Sequence, residues 1–161
     1  MARDSTSIPP RVRSEKGAAL VEFALVLPVL ILVLFGMLQF GLVFNYWIDE
    51  THLANEGARW AAVNNWPSSG TLQQYIRQQA GSNDLRNGAH VCISFPSGTK
   101  NVGDPVQVDM TYTAGLPIIS AVSTRLFGGA IPSTVRVAGR SVMRLEAVPN
   151  YTAGDGGTGA C

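Results

Sequence analysis

Apolar side chains are spread very unevenly along this chain. From Ala18 to Phe44 almost every position is apolar; Glu22 is the only formally charged residue there, and Gln39 the only other strongly polar one. As a helix rising about 1.5 Å per residue, residues 18–44 would extend roughly 40 Å, more than the approximately 30 Å hydrocarbon core of a bilayer. The pattern predicts a membrane-spanning helix, with Pro28 a tolerated interruption. Arg3, Arg11, Arg13 and Lys16 precede the run, which places the N-terminus on the cytoplasmic side. Phe40, Phe44, Tyr46 and Trp47 stand where the run ends, as an interfacial aromatic belt would.

Nothing breaks the helix after Trp47. Charged residues now enter, but Ala54, Ala58, Ala61 and Ala62 recur at i, i+4, i+7 and i+8, a stripe of small residues on one helical face. Packing against the protein's own domain is the first reading of that stripe; a helix of another subunit is the second. Glu56 and Arg59 are i, i+3 neighbours on this helix. The helix is expected to end near Asn64-Asn65, ahead of Pro67. A turn at Ser68-Ser69-Gly70 follows, then a short helix from Leu72 to Ala80 capped by Thr71, then a loop over 82–89.

Beyond this point the period changes to two. Val91, Ile93 and Phe95 alternate along 90–95 with Cys92 on the opposite face, and Val106, Val108, Met110 and Tyr112 alternate with Gln107, Asp109 and Thr111. The two stretches predict an antiparallel hairpin with one core face and one wet face. Leu116 to Phe127 is apolar but too short to span a bilayer; it predicts a crossover containing a short helix that ends at Gly128-Gly129, with contact to a membrane surface as a second reading. Residues 134–148 form the last strand pattern, in which Gly139 is expected to mark a bulge. The expected organisation is a leader over 1–17, a transmembrane helix over 18–44, its exported continuation over 45–66, a small exported domain over 67–148 and a Gly-rich tail over 149–161 that is loose unless Cys161 ties it down. The fold class is α+β, a long N-terminal helix packed on a small antiparallel sheet.

Composition narrows the function. The formal net charge is +1 over 161 residues, which gives no basis for bulk nucleic-acid binding. His52 and His90 lack ligand-spaced partners, and no phosphate-binding loop, dinucleotide fingerprint or Ser-His-Asp context is present. No catalytic residue, metal site, cofactor or small-molecule substrate is expected. The chain has two cysteines, Cys92 and Cys161. An exported domain would let them pair in an oxidising compartment; two unpaired thiols are the alternative.

Glu22 is costly beside a membrane and therefore a functional candidate. It follows Gly17 by five residues, behind a basic leader. That spacing resembles the processing site of type IV pilin-like precursors, where cleavage after Gly leaves Glu at the fifth mature position. The pair Glu22-Phe23 resembles the short-leader Flp pilins and pseudopilins of tight-adherence (Tad) systems. The segment Gly-Ala-Ala-Leu-Val-Glu-Phe-Ala-Leu-Val-Leu-Pro from Gly17 to Pro28, with Glu56-Gly57-Ala58-Arg59-Trp60-Ala61-Ala62, is similar to the TadE-like family.

The resemblance implies a pilin-like architecture and cleavage of the Gly17–Ala18 bond by a membrane-embedded prepilin peptidase. It implies a place in the bacterial inner membrane, N-terminus cytoplasmic and C-terminus outside. It also implies other Tad pilins or pseudopilins and the Tad assembly platform as partners. Glu22 would meet the new amine of a neighbouring subunit. Two other classes compete with this reading: an uncleaved single-pass membrane protein with a small exported binding domain, and an exported enzyme on a signal anchor.

Overall fold

The computed structural model describes residues 13–66, 70–129, 132–155 and 161. One helix, α1, runs from Arg13 to Val63, with Pro28 inside it. Its first residues belong to the segment expected to be an unstructured leader; helical propensity carries the periodicity back to Arg13, and the rest of the leader, 1–12, lies outside the described residues. At the other end Asn64 takes a left-handed conformation (φ 53°), and the Asn65 N–H donates back to the Trp60 carbonyl at 3.3 Å. This is how an Asn in the left-handed region closes a helix C-terminus.

After Gly70, Thr71 caps α2 (Leu72–Gln78) as expected, through a reciprocal capping box with Gln74. The segment 82–89, read as loop, instead holds a single-turn helix, α3 (Asn83–Gly88), because Ser82 accepts from the Leu85 N–H and buries Leu85 beneath it. Of the turn expected at Ser68-Ser69-Gly70, only Gly70 is among the described residues.

Three strands follow: β1 (His90–Ser94), β2 (Pro105–Gly115) and β3 (Thr134–Arg144). They form an antiparallel sheet in the order β1-β2-β3. The hairpin of β1 and β2 has the expected faces: Val91, Ile93, Val106, Val108 and Met110 are buried. Helix α4 (Pro117–Phe127) separates β2 from β3 and ends at Gly128, which is left-handed (φ 64°). It is not a crossover. Because β3 pairs antiparallel with β2, α4 is an insertion at the tip of a hairpin.

The bulge expected at Gly139 is absent. Register runs unbroken from Pro105↔Arg144 to Gly115↔Thr134, with Gly139 opposite Met110. Gly139 serves another purpose: a Cβ there would lie 2.5 Å from the Glu50 carbonyl oxygen and 2.8 Å from the Thr51 nitrogen. It lets the α1 backbone lie directly on the sheet. The alanine stripe meets the same face, with Ala54, Ala58 and Ala61 completely buried. The stripe therefore packs against the chain's own domain. Leu72 and Ile76 of α2, Leu85 of α3 and Leu145 complete the core.

Candidate functional site: the exposed start of the long helix

Gly17, Ala18, Glu22 and Phe23 all lie on α1, at the end remote from the sheet. Ala18 and Glu22 are exposed, Phe23 is 57% exposed, and a Cβ at Gly17 would meet no atom within 4 Å. The folded domain therefore leaves this segment open to another macromolecule. Glycine inside a helix weakens it by roughly 0.5–1 kcal/mol relative to alanine, so Gly17 is a point where the helix can be opened locally. Glu22 stands four residues beyond Ala18, one turn away, and helical side chains lean toward the N-terminus. Its carboxylate is thus directed at the turn that begins with Ala18.

Farther along, the aromatic cluster divides. Phe40, Phe44 and Trp47 form an outward ladder, with ring centroids 6.4 Å and 5.7 Å apart. Phe40 is largely exposed, and Phe44 and Trp47 about half so. Tyr46, expected in the same belt, turns inward instead. Its hydroxyl donates to Asp84 at 2.9 Å and its ring meets Tyr112 edge-on. Burial, then the Asp84 hydrogen bond and charge, push its pKa up to about 12. Gln39, the polar exception in the apolar run, is buried (6% exposed), and its Oε1 accepts the Ile119 N–H of α4 at 2.9 Å.

Glu50 was not a candidate from the sequence, yet it is the chemically most unusual side chain in the domain. It is fully buried between α1 and the sheet, and neither carboxylate oxygen has a hydrogen-bond partner among the described residues. Burial, reinforced by the charge of Asp49 and opposed by Arg136, raises its pKa to about 7. A signal was present: Glu50 precedes Ala54 and Ala58 at helical spacing and so falls on the buried stripe. Glu56 faces His52 at 3.7 Å on the solvent side rather than pairing with Arg59 as its spacing had suggested; the His52 side chain is 66% exposed. Among the described residues no group of three or more His, Cys, Asp or Glu converges to hold a metal ion.

The chain's end is tied to the far end of α1. Glu146 N–H donates to the Ala62 carbonyl at 2.8 Å, the Tyr151 hydroxyl donates to the Ala61 carbonyl at 2.8 Å, and Asn150 N–H reaches the Asn64 side chain at 3.1 Å. The first two contacts occupy carbonyls that a helix C-terminus leaves free. Gly154 pairs with Ile93 at the edge of β1, and Gln73 donates to the carbonyls of Thr152 and Gly154. The tail, expected to be loose unless Cys161 ties it down, is anchored at Asn150, Tyr151, Thr152 and Gly154; residues 156–160 lie outside the described residues. Cys161 is joined to Cys92 on β1, Cα–Cα 5.7 Å, which brackets the same edge.

Residues 17–59 match the family model for TadE-like protein. The long helix carries a TadE-like segment. The match starts at Gly17 and ends at Arg59, so it covers the exposed apolar half of α1 and most of the half that packs on the sheet. No curated protein and no solved structure matches the chain. The TadE-like helix is long and apolar enough to cross a membrane, and none of its most apolar window is buried by the rest of the protein. A TadE-like segment on such a helix fits a minor pilin of the Tad pilus and is consistent with a single-pass membrane protein.

Proposed function

We propose that this protein is a TadE-like minor pilin or pseudopilin that acts in assembling a Flp-type, tight-adherence pilus. In this reading it catalyses nothing; the decisive chemistry is done to it. A prepilin peptidase hydrolyses the Gly17–Ala18 bond, water adding across the amide, which frees the carboxylate of Gly17 and a new α-amine on Ala18. The mature subunit stays in the inner membrane through α1, with its domain outside, and joins other Tad subunits and the assembly platform. Adhesion and biofilm formation are the uses such a filament would have.

The observation that supports this best is the pairing of the TadE-like match with an unobstructed Gly17–Phe23 segment. A peptidase needs an extended substrate backbone, and Gly17 is both the least helix-favouring residue there and free of neighbours. Once cut, α1 begins at Ala18. Glu22 then lies near a helix N-terminus carrying a positive amine, where a carboxylate is favoured. Its own amine is one turn away; a neighbouring subunit's amine is the partner that would hold two helices in register. In an apolar bundle such a pair is hard to break once made, although its formation is opposed by desolvation.

The test is the N-terminal residue of membrane-extracted protein, by intact mass and terminal sequencing, with and without a coexpressed cognate peptidase. A mature chain beginning at Ala18 is expected. Gly17→Ala should block cleavage while leaving the exported domain folded, because its Cβ meets nothing in the protein. Glu22→Gln should be cleaved but assemble poorly. A chain that retains residues 1–17 beside an active peptidase overturns the reading. The protein would then be a signal-anchored membrane protein with a small exported binding domain.

A further inference from the structure

The apolar half of α1 and the folded domain overlap, and the overlap fixes where a bilayer can sit. Crossing the hydrocarbon core takes about 20 helical residues. The span cannot slide toward the N-terminus, because Arg13, Glu15 and Lys16 stand immediately before Gly17. Counted from Ala18, it reaches Met37. Yet α4 is already packed on α1 there: Gln39, only two residues farther on, is buried and holds the Ile119 N–H. Phe35 is itself half-buried, while Leu34, Met37 and Leu38 around it are exposed.

The start of α4 carries the second observation. A helix N-terminus exposes free N–H groups, normally met by water or by the capping side chain. The residue at the cap is Leu116, which supplies no side-chain acceptor. Gln39 of α1 supplies one instead. Such a cap, provided by a neighbouring helix, is what a helix start needs where water is scarce. The outward face of α4 presents Ile118, 40% exposed, and Ala121, with Arg125 also exposed beyond them. This is an apolar surface followed by a cation able to reach lipid phosphate.

We propose that α4 is an interfacial helix: it lies in the boundary of the leaflet on the exported side, with Ile118 and Ala121 against lipid, and sets how deeply α1 enters the bilayer. The Phe40, Phe44 and Trp47 ladder occupies the next turns outward, at the depth where aromatic rings favour the interface. The domain then rests on the membrane through α4 rather than standing clear of it on a stalk. The inference rests on α1 crossing a bilayer, and the experiment separates the two.

Spin labels are placed singly, by Leu30→Cys, Ile118→Cys, Ala121→Cys and Val148→Cys, on the full chain with Cys92 and Cys161 paired. The protein is reconstituted in vesicles of phosphatidylethanolamine and phosphatidylglycerol. Accessibility to oxygen, which partitions into lipid, is compared with that to a water-soluble nickel chelate. Leu30 should be rich in oxygen contact and poor in nickel, and Val148, 67% exposed at the opposite end of the domain, the reverse. Labels at 118 and 121 should favour oxygen severalfold over the Val148 label. If Leu30 behaves as lipid-embedded but both α4 labels match Val148, the α4 proposal is overturned and the membrane reading stands. If Leu30 itself is aqueous, both fall. If the α4 labels are shielded from both reagents, a second copy of the chain covers the helix, and the proposal is wrong.

Discussion

The two halves of α1 are one helix with two kinds of surroundings: one half stands free of the domain and the other is packed on it. In the first half Leu20, Leu25, Leu30 and Leu34 are each more than half exposed, and Gly36 and Gly41 have no neighbours within 4 Å of a would-be Cβ. In the second half the inward residues are mostly small, Leu53 and Glu50 being the larger exceptions: Ala54, Ala58 and Ala61 are completely buried, and a Cβ on Gly57 would lie 2.7 Å from Ile76. Large residues point outward where the domain packs nothing against the helix. Small residues point inward where a sheet already occupies the space. Hydrophobicity alone does not separate these regimes; side-chain volume does, because a packed interior resists the addition of a single methylene.

Glycine substitutions break this comparison most sharply. Gly139→Ala would drive a Cβ into the Glu50 and Thr51 backbone, which cannot rotate away. Overpacking against rigid atoms should cost at least about 3 kcal/mol, a large share of a small domain's total. Gly36→Ala, by contrast, meets open space and should leave the domain's denaturant midpoint unchanged. Midpoints measured on both variants decide the matter; a mild Gly139→Ala would mean that α1 does not press on β3.

The next largest effect belongs to the Cys92–Cys161 bond, which closes a separation of 69 residues onto the β1 edge. Opening it with Cys92→Ala and Cys161→Ala together should cost about 2–5 kcal/mol. Thermal melts should show the loss in the folded domain while the apolar half of α1 stays helical. If the melt of the double variant overlays that of the oxidised parent, the tail is held by its hydrogen bonds alone.

Glu50 makes the sheet-packed half of α1 and its domain pH-dependent in a definite direction. Its carboxyl titrates at about 7 when folded against an ordinary 4.5. Below pH 4.5 it is protonated in both states and carries no charge penalty. As pH rises toward 7 the unfolded chain releases the proton and the folded one holds it, so stability falls; above 7 the penalty is complete, at most about 3 kcal/mol. Glu50→Gln should therefore stabilise the protein at pH 8 and change little at pH 4, flattening this part of the profile. A Glu50→Gln curve parallel to that of the parent would show that the carboxylate is hydrated in solution.

What could be read in advance follows from the same physics. The long helix, the Thr71 cap, the β1–β2 hairpin and the family resemblance were legible because each rests on local periodicity or a local motif. Gly139 was misassigned because a strand glycine suits a bulge and a close backbone approach equally well; only the helix lying across it distinguishes them. The α3 turn was too short to show a period. For Glu50, residue type argued for solvent and position for the core, and position decided. Tyr46 was grouped with Phe40, Phe44 and Trp47 by composition, although its place on the helix, one turn before Glu50, puts it on the domain side.

The smallest effect concerns the end of α1, where the chain's last segment closes the helix. Tyr151 is buried, donates to the Ala61 carbonyl, and packs its ring between Trp66 and Phe95 at 5.5 Å and 6.0 Å. Tyr151→Phe keeps the rings and deletes the hydroxyl, leaving a buried carbonyl one donor short. A loss of about 1 kcal/mol is expected. The loss should be local: amide exchange should quicken over the last turn of α1 and the segment from 146 to 154, and not at Gln39 or in α4. That pattern would show the sheet-packed half of α1 to be held from its far end as well as from its flank. The apolar half has no such clamp, and its order depends on what surrounds it. If exchange quickens uniformly along α1, the helix behaves as one cooperative unit and the contrast between its halves is one of surroundings alone.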